Sequence, residues 1–283
     1  MKLILLKILL LLTTVTFAQF SGTSFKEAKS SGKAIWIYTY AATPGFAYAG
    51  EKGELKGICF DIMSDFKDYV KKEHNIEVTT EIKDGSSEDF QKFLKEVKGS
   101  QGGTFGLGNI TITEARKREF QFSPPFITNI SVIVTNKMVP TLSSIENINK
   151  DFAGKTAYTV VNSTNASSLQ KLKKAHFSSM KIINLNSSPE VLDRVLADQN
   201  AFANIDFTYW LFSLKQKQPV KRHPAGDEST EKFGIIMSKT NDWEPVLREF
   251  LNSGYVGSTE YKKIIAKHLG QNALDLVESV TKN

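Results

Sequence analysis

The segment GNITITEARKREF, Gly108 to Phe120, reads as a strand that turns into a helix with an arginine at the turn. Ile110 and Thr111 carry the β-branched side chains that suit strands. Thr113 suits a helix N-cap, because its hydroxyl can accept from the free N–H groups of a first turn. The helix EARKREF then places Arg116 in that first turn, where a cation opposes the helix dipole at a cost of about 0.3–1 kcal/mol. Two arrangements would relieve the cost. Either an anion sits between the helix start and the guanidinium fork, or Arg116 pairs with Glu119 or another surface acid. The residues of this segment do not separate the two.

Outward from the segment, strand-like and helix-like stretches alternate. KAIWIYTY (33–40) and IEVTTEI (76–82) are rich in β-branched and aromatic residues and are predicted strands. Between them, Ile62, Phe66, Tyr69 and Val70 fall on one face of a predicted helix over 60–73. SSEDFQKFLKEV (86–97) is a predicted helix with a serine cap and a stripe of Phe90, Phe93, Leu94 and Val97. GGTFGLGNIT (102–111) is a glycine-rich strand and turn, and FITNISVIVTNKM (126–138) runs extended.

The rhythm repeats downstream, with strands expected over KTAYTVV (155–161), KIINL (181–185), AFANID (201–206) and EKFGIIMSK (231–239). Helices are expected over 165–177, opened by Asn165, over 188–199, capped by Ser188 with Pro189 in its first turn, and over 207–216. Two more, 241–252 and 259–270, close the chain, the last ending on Gly270. Such alternation predicts an α/β protein with largely parallel sheets. Two units of about a hundred residues, joined by extended chain rather than a floppy linker, suggest two lobes that hinge around a ligand.

Residues 1–18, MKLILLKILLLLTTVTFA, have a basic start, an apolar run and small residues at Thr16 and Ala18. They read as a secretory signal peptide cleaved after Ala18, with a polar lead-in over 19–32, and they are short for a membrane span. The single cysteine, Cys59, cannot form an internal disulfide and lies among apolar neighbours, so it is expected buried and inert. The net charge is +6, of which Lys2 and Lys7 supply two. The remaining lysines are dispersed among acids, a solvated surface rather than a nucleic-acid patch.

Hydrolase, zincin and phosphate-loop motifs are absent from the sequence. His74, His176, His223 and His268 sit in lysine-rich stretches without metal-ligand spacing and are expected at the surface. The glycines of GSQGGTFGLGN precede a strand end rather than opening a helix, so they mark a tight turn or a close backbone approach. No metal or cofactor is expected.

Five pieces in order, LKGICFDIMSDFKDYV, GNITITEARKREFQFSPPFITN, VVNSTNASSL, AFANIDFTYW and YKKIIAKHLG, resemble the family 3 solute-binding proteins of polar amino-acid ABC transporters. The resemblance covers roughly residues 33–270. It implies a two-lobed, type II periplasmic-binding-protein fold, with lobe 1 over 33–125 and 234–283 and lobe 2 over 131–228. Hinge strands would cross at 126–130 and 229–233. It implies a periplasmic location and a permease partner, with no nucleic acid. Carried over by position, Arg116 grips the α-carboxylate of an amino acid or related carboxylate, and Thr111, Ser163 and Thr164 assist. The backbone carbonyl of Asn109 and the carboxylate of Asp206 meet the ammonium.

Departures from the family pattern follow. Tyr40, Cys59, Val160 and Ile205 stand where polar or charged residues are usual, which implies a more apolar side-chain pocket, with Tyr40, Phe46 and Tyr48 as candidate lining. Asn109 is larger than the usual Gly or Ser. The alternative function on this scaffold is a small-acid dehydratase or lyase, similar to cyclohexadienyl dehydratases, with Asp206 as general acid or base.

Overall fold

The computed structural model of the chain describes residues 20–50, 52–83, 88–229 and 231–281. The predicted signal peptide, 1–18, and the predicted serine cap at Ser86 or Ser87 lie outside the described residues.

Two five-stranded sheets organise two lobes. The first runs Glu77–Lys83, Lys33–Tyr40, Thr104–Leu107, Ile236–Met237, Gln121–Phe122 from edge to edge. The second runs Lys181–Leu185, Thr156–Val160, Ala201–Asp206, Ser131–Asn136, Val220–Glu228. Both are mixed rather than largely parallel. Lys33–Tyr40 is parallel to its two neighbours, whereas Ile236–Met237 is antiparallel to both of its own. Thr156–Val160 pairs in parallel, whereas Ser131–Asn136 is antiparallel to both neighbours. Parallel pairing needs a long crossover, usually a helix. Ser131–Asn136 and Ile236–Met237 instead enter their sheets directly from segments where the chain passes between lobes.

The chain passes at Ile127–Thr128, antiparallel to Lys232–Phe233. Below that pair Asn129 N–H donates to Glu231 O at 2.8 Å. The single strand expected over 231–239 is therefore two short strands, Lys232–Phe233 and Ile236–Met237, in different sheets. Gly234 separates them at a close approach: a Cβ there would lie 2.9 Å from Ile112 Cδ1.

The first lobe packs an aromatic core. Trp36 contacts Phe66, Phe105 and Trp243 with ring centroids 4.9, 5.2 and 5.0 Å apart. Ile62, Phe66 and Val70 of the helix Ile58–His74 are buried as the spacing predicts, and so is Cys59. In the second lobe Phe152 packs on Phe202 and on His223, both at 5.1 Å.

Several local expectations change. The lead-in contains the helix Phe25–Ser31, closed by a Ser24–Glu27 capping box. Asp242 accepts from Phe25 N–H at 2.8 Å, and Trp243 Nε1 donates to Thr23 O at 2.8 Å, so the lead-in is built into the lobe. A further helix, Gln271–Thr281, follows Gly270 and buries Leu274 and Val277. Caps fall on Asp89, Ser163 and Ser187, not on an earlier serine, Asn165 and Ser188. His223 and His268 are buried, not at the surface. His268 is held by Asp61, whose carboxylate lies 2.8 Å from Nε2, and Tyr48 OH lies 3.2 Å from Nδ1.

Candidate functional site

A cleft of about 370 Å³ opens between the lobes, walled by the turn at Asn109 to Arg116 on one side and the turn at Ser163 to Asn165 on the other. Asp206, at the end of the strand Ala201–Asp206, lies on its wall.

Thr113 caps the helix Glu114–Glu119 by accepting from Arg116 N–H at 3.1 Å. That helix is only six residues long, so its dipole is a weak influence on Arg116. The side chain leaves the helix, donates from Nη1 to Thr111 O at 3.0 Å, and rests its Cζ 5.2 Å from the Phe90 ring centroid. The predicted alternative, pairing with Glu119, does not occur: Glu119 pairs with Lys98 at 2.6 Å. Among the described residues no carboxylate reaches salt-bridge distance of Arg116. Burial depresses its pKa, while the fields of Glu231 and Asp206 oppose that shift. A guanidinium stays charged regardless, so it presents unfilled donors to the cleft.

Asp206 is engaged by carboxamides. Asn129 Nδ2 donates to Oδ1 at 2.7 Å and also to Glu231 Oε2 at 2.8 Å. Asn109 Nδ2 donates to Oδ2. Burial first, and then the charge of Glu231, push the Asp206 pKa up to about 7, against the opposing effect of Asn129, Asn109 and Asn165.

The two lobes touch across the cleft. The hydroxyls of Thr111 and Thr164 lie 3.3 Å apart, and Tyr209 OH donates to Ala42 O at 3.2 Å. Gln91 Nε2 donates to Val161 O at 3.0 Å and accepts at Oε1 from Asn162 at 3.2 Å. Ser163 borders the cleft, but its hydroxyl is occupied as the cap of the helix Thr164–His176, accepting from Ala166 N–H at 3.0 Å.

The structure thus brings Asn109, Thr111, Arg116, Ser163, Thr164 and Asp206 to one cavity. Tyr40 and Phe46 are core residues away from it: Tyr40 packs on Phe60 at 6.1 Å, and Phe46 on Phe126 and Phe233. Tyr48 pairs with His268, also outside the cleft. Strand Lys33–Tyr40 buries residues on both faces, so an aromatic at its end turns into the lobe rather than the cavity. Nor is the pocket simply apolar. Val160 lines it, but so do Glu88, Glu190 and Asp193, and Glu88 and Asp193 are exposed at its mouth.

Sequence reasoning did not single out Asn129, Glu231 or the acidic mouth. The acids sit in amphipathic helical stretches and look like ordinary surface charge. Asn129 and Glu231 meet because the chain crosses between lobes twice, which no local pattern reveals.

No curated protein matches the sequence. Among solved structures, the chain is similar to an ancestral arginine-binding protein bound to glutamine, at 23% identity and TM-score 0.67, covering 84% of this chain and 98% of that one. It is similar to a substrate-binding protein of an ABC uptake transporter from Streptococcus pneumoniae with bound histidine, at 18% identity, TM-score 0.66, covering 87% and 96%. The arginine-, lysine-, histidine-binding protein ArtJ from Geobacillus stearothermophilus matches at 18% identity and TM-score 0.62, covering 85% and 99%. These likenesses establish the fold, and a family model matches residues 35–271. The chain belongs to the bacterial extracellular solute-binding proteins, family 3.

Proposed function

We propose that the cleft captures an amino acid with a basic side chain, outside the cytoplasmic membrane, and that the protein hands it to an ABC permease. The observation that carries this reading is the half-buried Arg116 guanidinium, fixed by Thr111 O and Phe90 and free of any paired carboxylate among the described residues. An incoming carboxylate can take its fork, with the Thr111 and Thr164 hydroxyls beside it. The ligand's ammonium then faces Asp206. Its side chain points to the mouth, where Glu88, Glu190 and Asp193 gather. Exposed pairs contribute only about 0.2–1 kcal/mol each, so this mouth selects for a cation by a modest factor.

The lobes of this reading comprise residues 33–125 with 234–283, and 131–228, and they close about the crossings at 126–130 and 229–233. The low-identity relatives described as binding arginine, lysine or histidine agree with this ligand class. The residues 1–18 serve as an export signal. A dehydratase would need a proton donor or acceptor working with Asp206, but the direct partners of that carboxylate are amides, which move no protons.

A thermal-shift panel of arginine, lysine, histidine, glutamine, glutamate and aspartate tests the reading, since a ligand of the folded form raises the melting temperature by mass action. The largest shift is expected from a basic amino acid and none from the acidic pair. A largest shift from glutamate or aspartate, or none from any of the six, would refute it.

A further inference from the structure

The Asn109 carboxamide lies between Thr43 and Asp206. Its Oδ1 accepts from Thr43 Oγ1 at 2.7 Å, which turns Nδ2 onto Asp206 Oδ2 across the cleft. The flipped amide would set its oxygen against a carboxylate, a repulsive contact. Asp206 Oδ1 is meanwhile taken by Asn129. An ionised carboxylate offers about four acceptor sites, and these two amides engage both of its oxygens. Asp206 also lies within the electrostatic reach of Arg116. A zwitterion whose carboxylate sits on Arg116 therefore brings its ammonium to the oxygen that Asn109 already holds.

We propose that the Asn109 side chain stands in for the ligand's α-ammonium on Asp206, and so sets how far the cleft demands an α-ammonium at all. The inference rests on the carboxylate-on-Arg116 reading given above. With Asn109 in place, an acid lacking the amino group loses no partner, and an amino acid gains its contact with Asp206 only by displacing an amide. The same contact joins a turn of the first lobe to a strand end of the second, so Asn109 also holds the ligand-free cleft shut.

Calorimetric titration of L-arginine and of 5-guanidinopentanoate, which is arginine without its α-amino group, into the wild type and Asn109→Ser tests the first consequence. The wild type is expected to bind the two within about threefold. Asn109→Ser is expected to prefer L-arginine by at least about tenfold, or about 1.4 kcal/mol. A preference that is unchanged or falls on substitution overturns the proposal.

Small-angle scattering of the two ligand-free proteins tests the second consequence without any ligand. Asn109→Ser, and Asn109→Asp with its like charge facing Asp206, are expected to show a larger radius of gyration than the wild type at unchanged helix content by circular dichroism. Equal radii overturn the proposal. If neither compound binds either protein, the basic-ligand reading has failed, and the scattering result alone decides the role of Asn109.

Discussion

His223 has no exposed surface, and both ring nitrogens are engaged. Leu142 N–H donates to Nδ1 at 2.9 Å, so the ring proton is on Nε2, which donates to Thr135 Oγ1 at 2.8 Å. Burial, with help from Lys221 and Lys155, lowers its pKa from 6.5 to about 4. Below pH 6.5 the unfolded chain takes up a proton that the folded chain refuses until about pH 4, so stability is fully present above 6.5 and declines through that window. Linkage puts the loss at up to about 3 kcal/mol. His223→Gln is expected to flatten the fall in urea midpoint between pH 6.5 and 4, and a slope equal to the wild type's would contradict this. At this scale, lysine-rich flanks suggested a surface histidine. Its burial follows from tertiary packing, since it pairs opposite Ile133 and Phe152 covers its ring. Arg116, by contrast, was legible as a first-turn residue, because its cap and helix are consecutive in sequence, whereas a ligand role for it came only from the family resemblance.

Elements were legible in kind and less so at their ends. The helix Phe90–Gly99 was expected with a serine cap, but Asp89 accepts from Lys92 N–H at 2.9 Å. Several capping residues in a row compete, and Asp89 is the one adjacent to the first helical residue, Phe90. Asp89→Ala is expected to lower stability by about 0.5–2 kcal/mol in urea unfolding with an unchanged slope. An unmoved midpoint would show that the cap is dispensable. The cap at Ser187 carried a readable signal: the run SSPE holds a Ser-x-x-Glu pattern that begins at Ser187 rather than Ser188. In the structure Glu190 reaches back to Asn186 N–H at 3.2 Å. The helix Gln271–Thr281 was not expected, although Gly270 is the C-cap of the helix before it as the sequence predicts. Gly270 is a turn with φ 96°, after which the chain resumes helical geometry to cover the crossing strand Ile127–Thr128.

For the whole molecule, β/α alternation was enough to give the fold class, whereas the mixed sheets were not legible because strand direction depends on the two inter-lobe crossings. The cleft exists because those crossings set one sheet's strand ends against the other's. Contacts such as Thr111 with Thr164 and Tyr209 with Ala42 show the lobes meeting around it. The central claim is that a ligand carboxylate on Arg116 is what the cleft is built to receive. The measurement that tests it most directly is calorimetric titration of L-arginine into the wild type and Arg116→Ala, with the ligand-free melting temperature of each. Removing one side of a buried charged contact costs about 2–5 kcal/mol, so binding is expected to weaken by roughly 30-fold or more. The ligand-free melting temperature should change little, since no paired carboxylate is orphaned. Equal affinity in the two proteins, or a collapse of ligand-free stability in Arg116→Ala, would contradict the account.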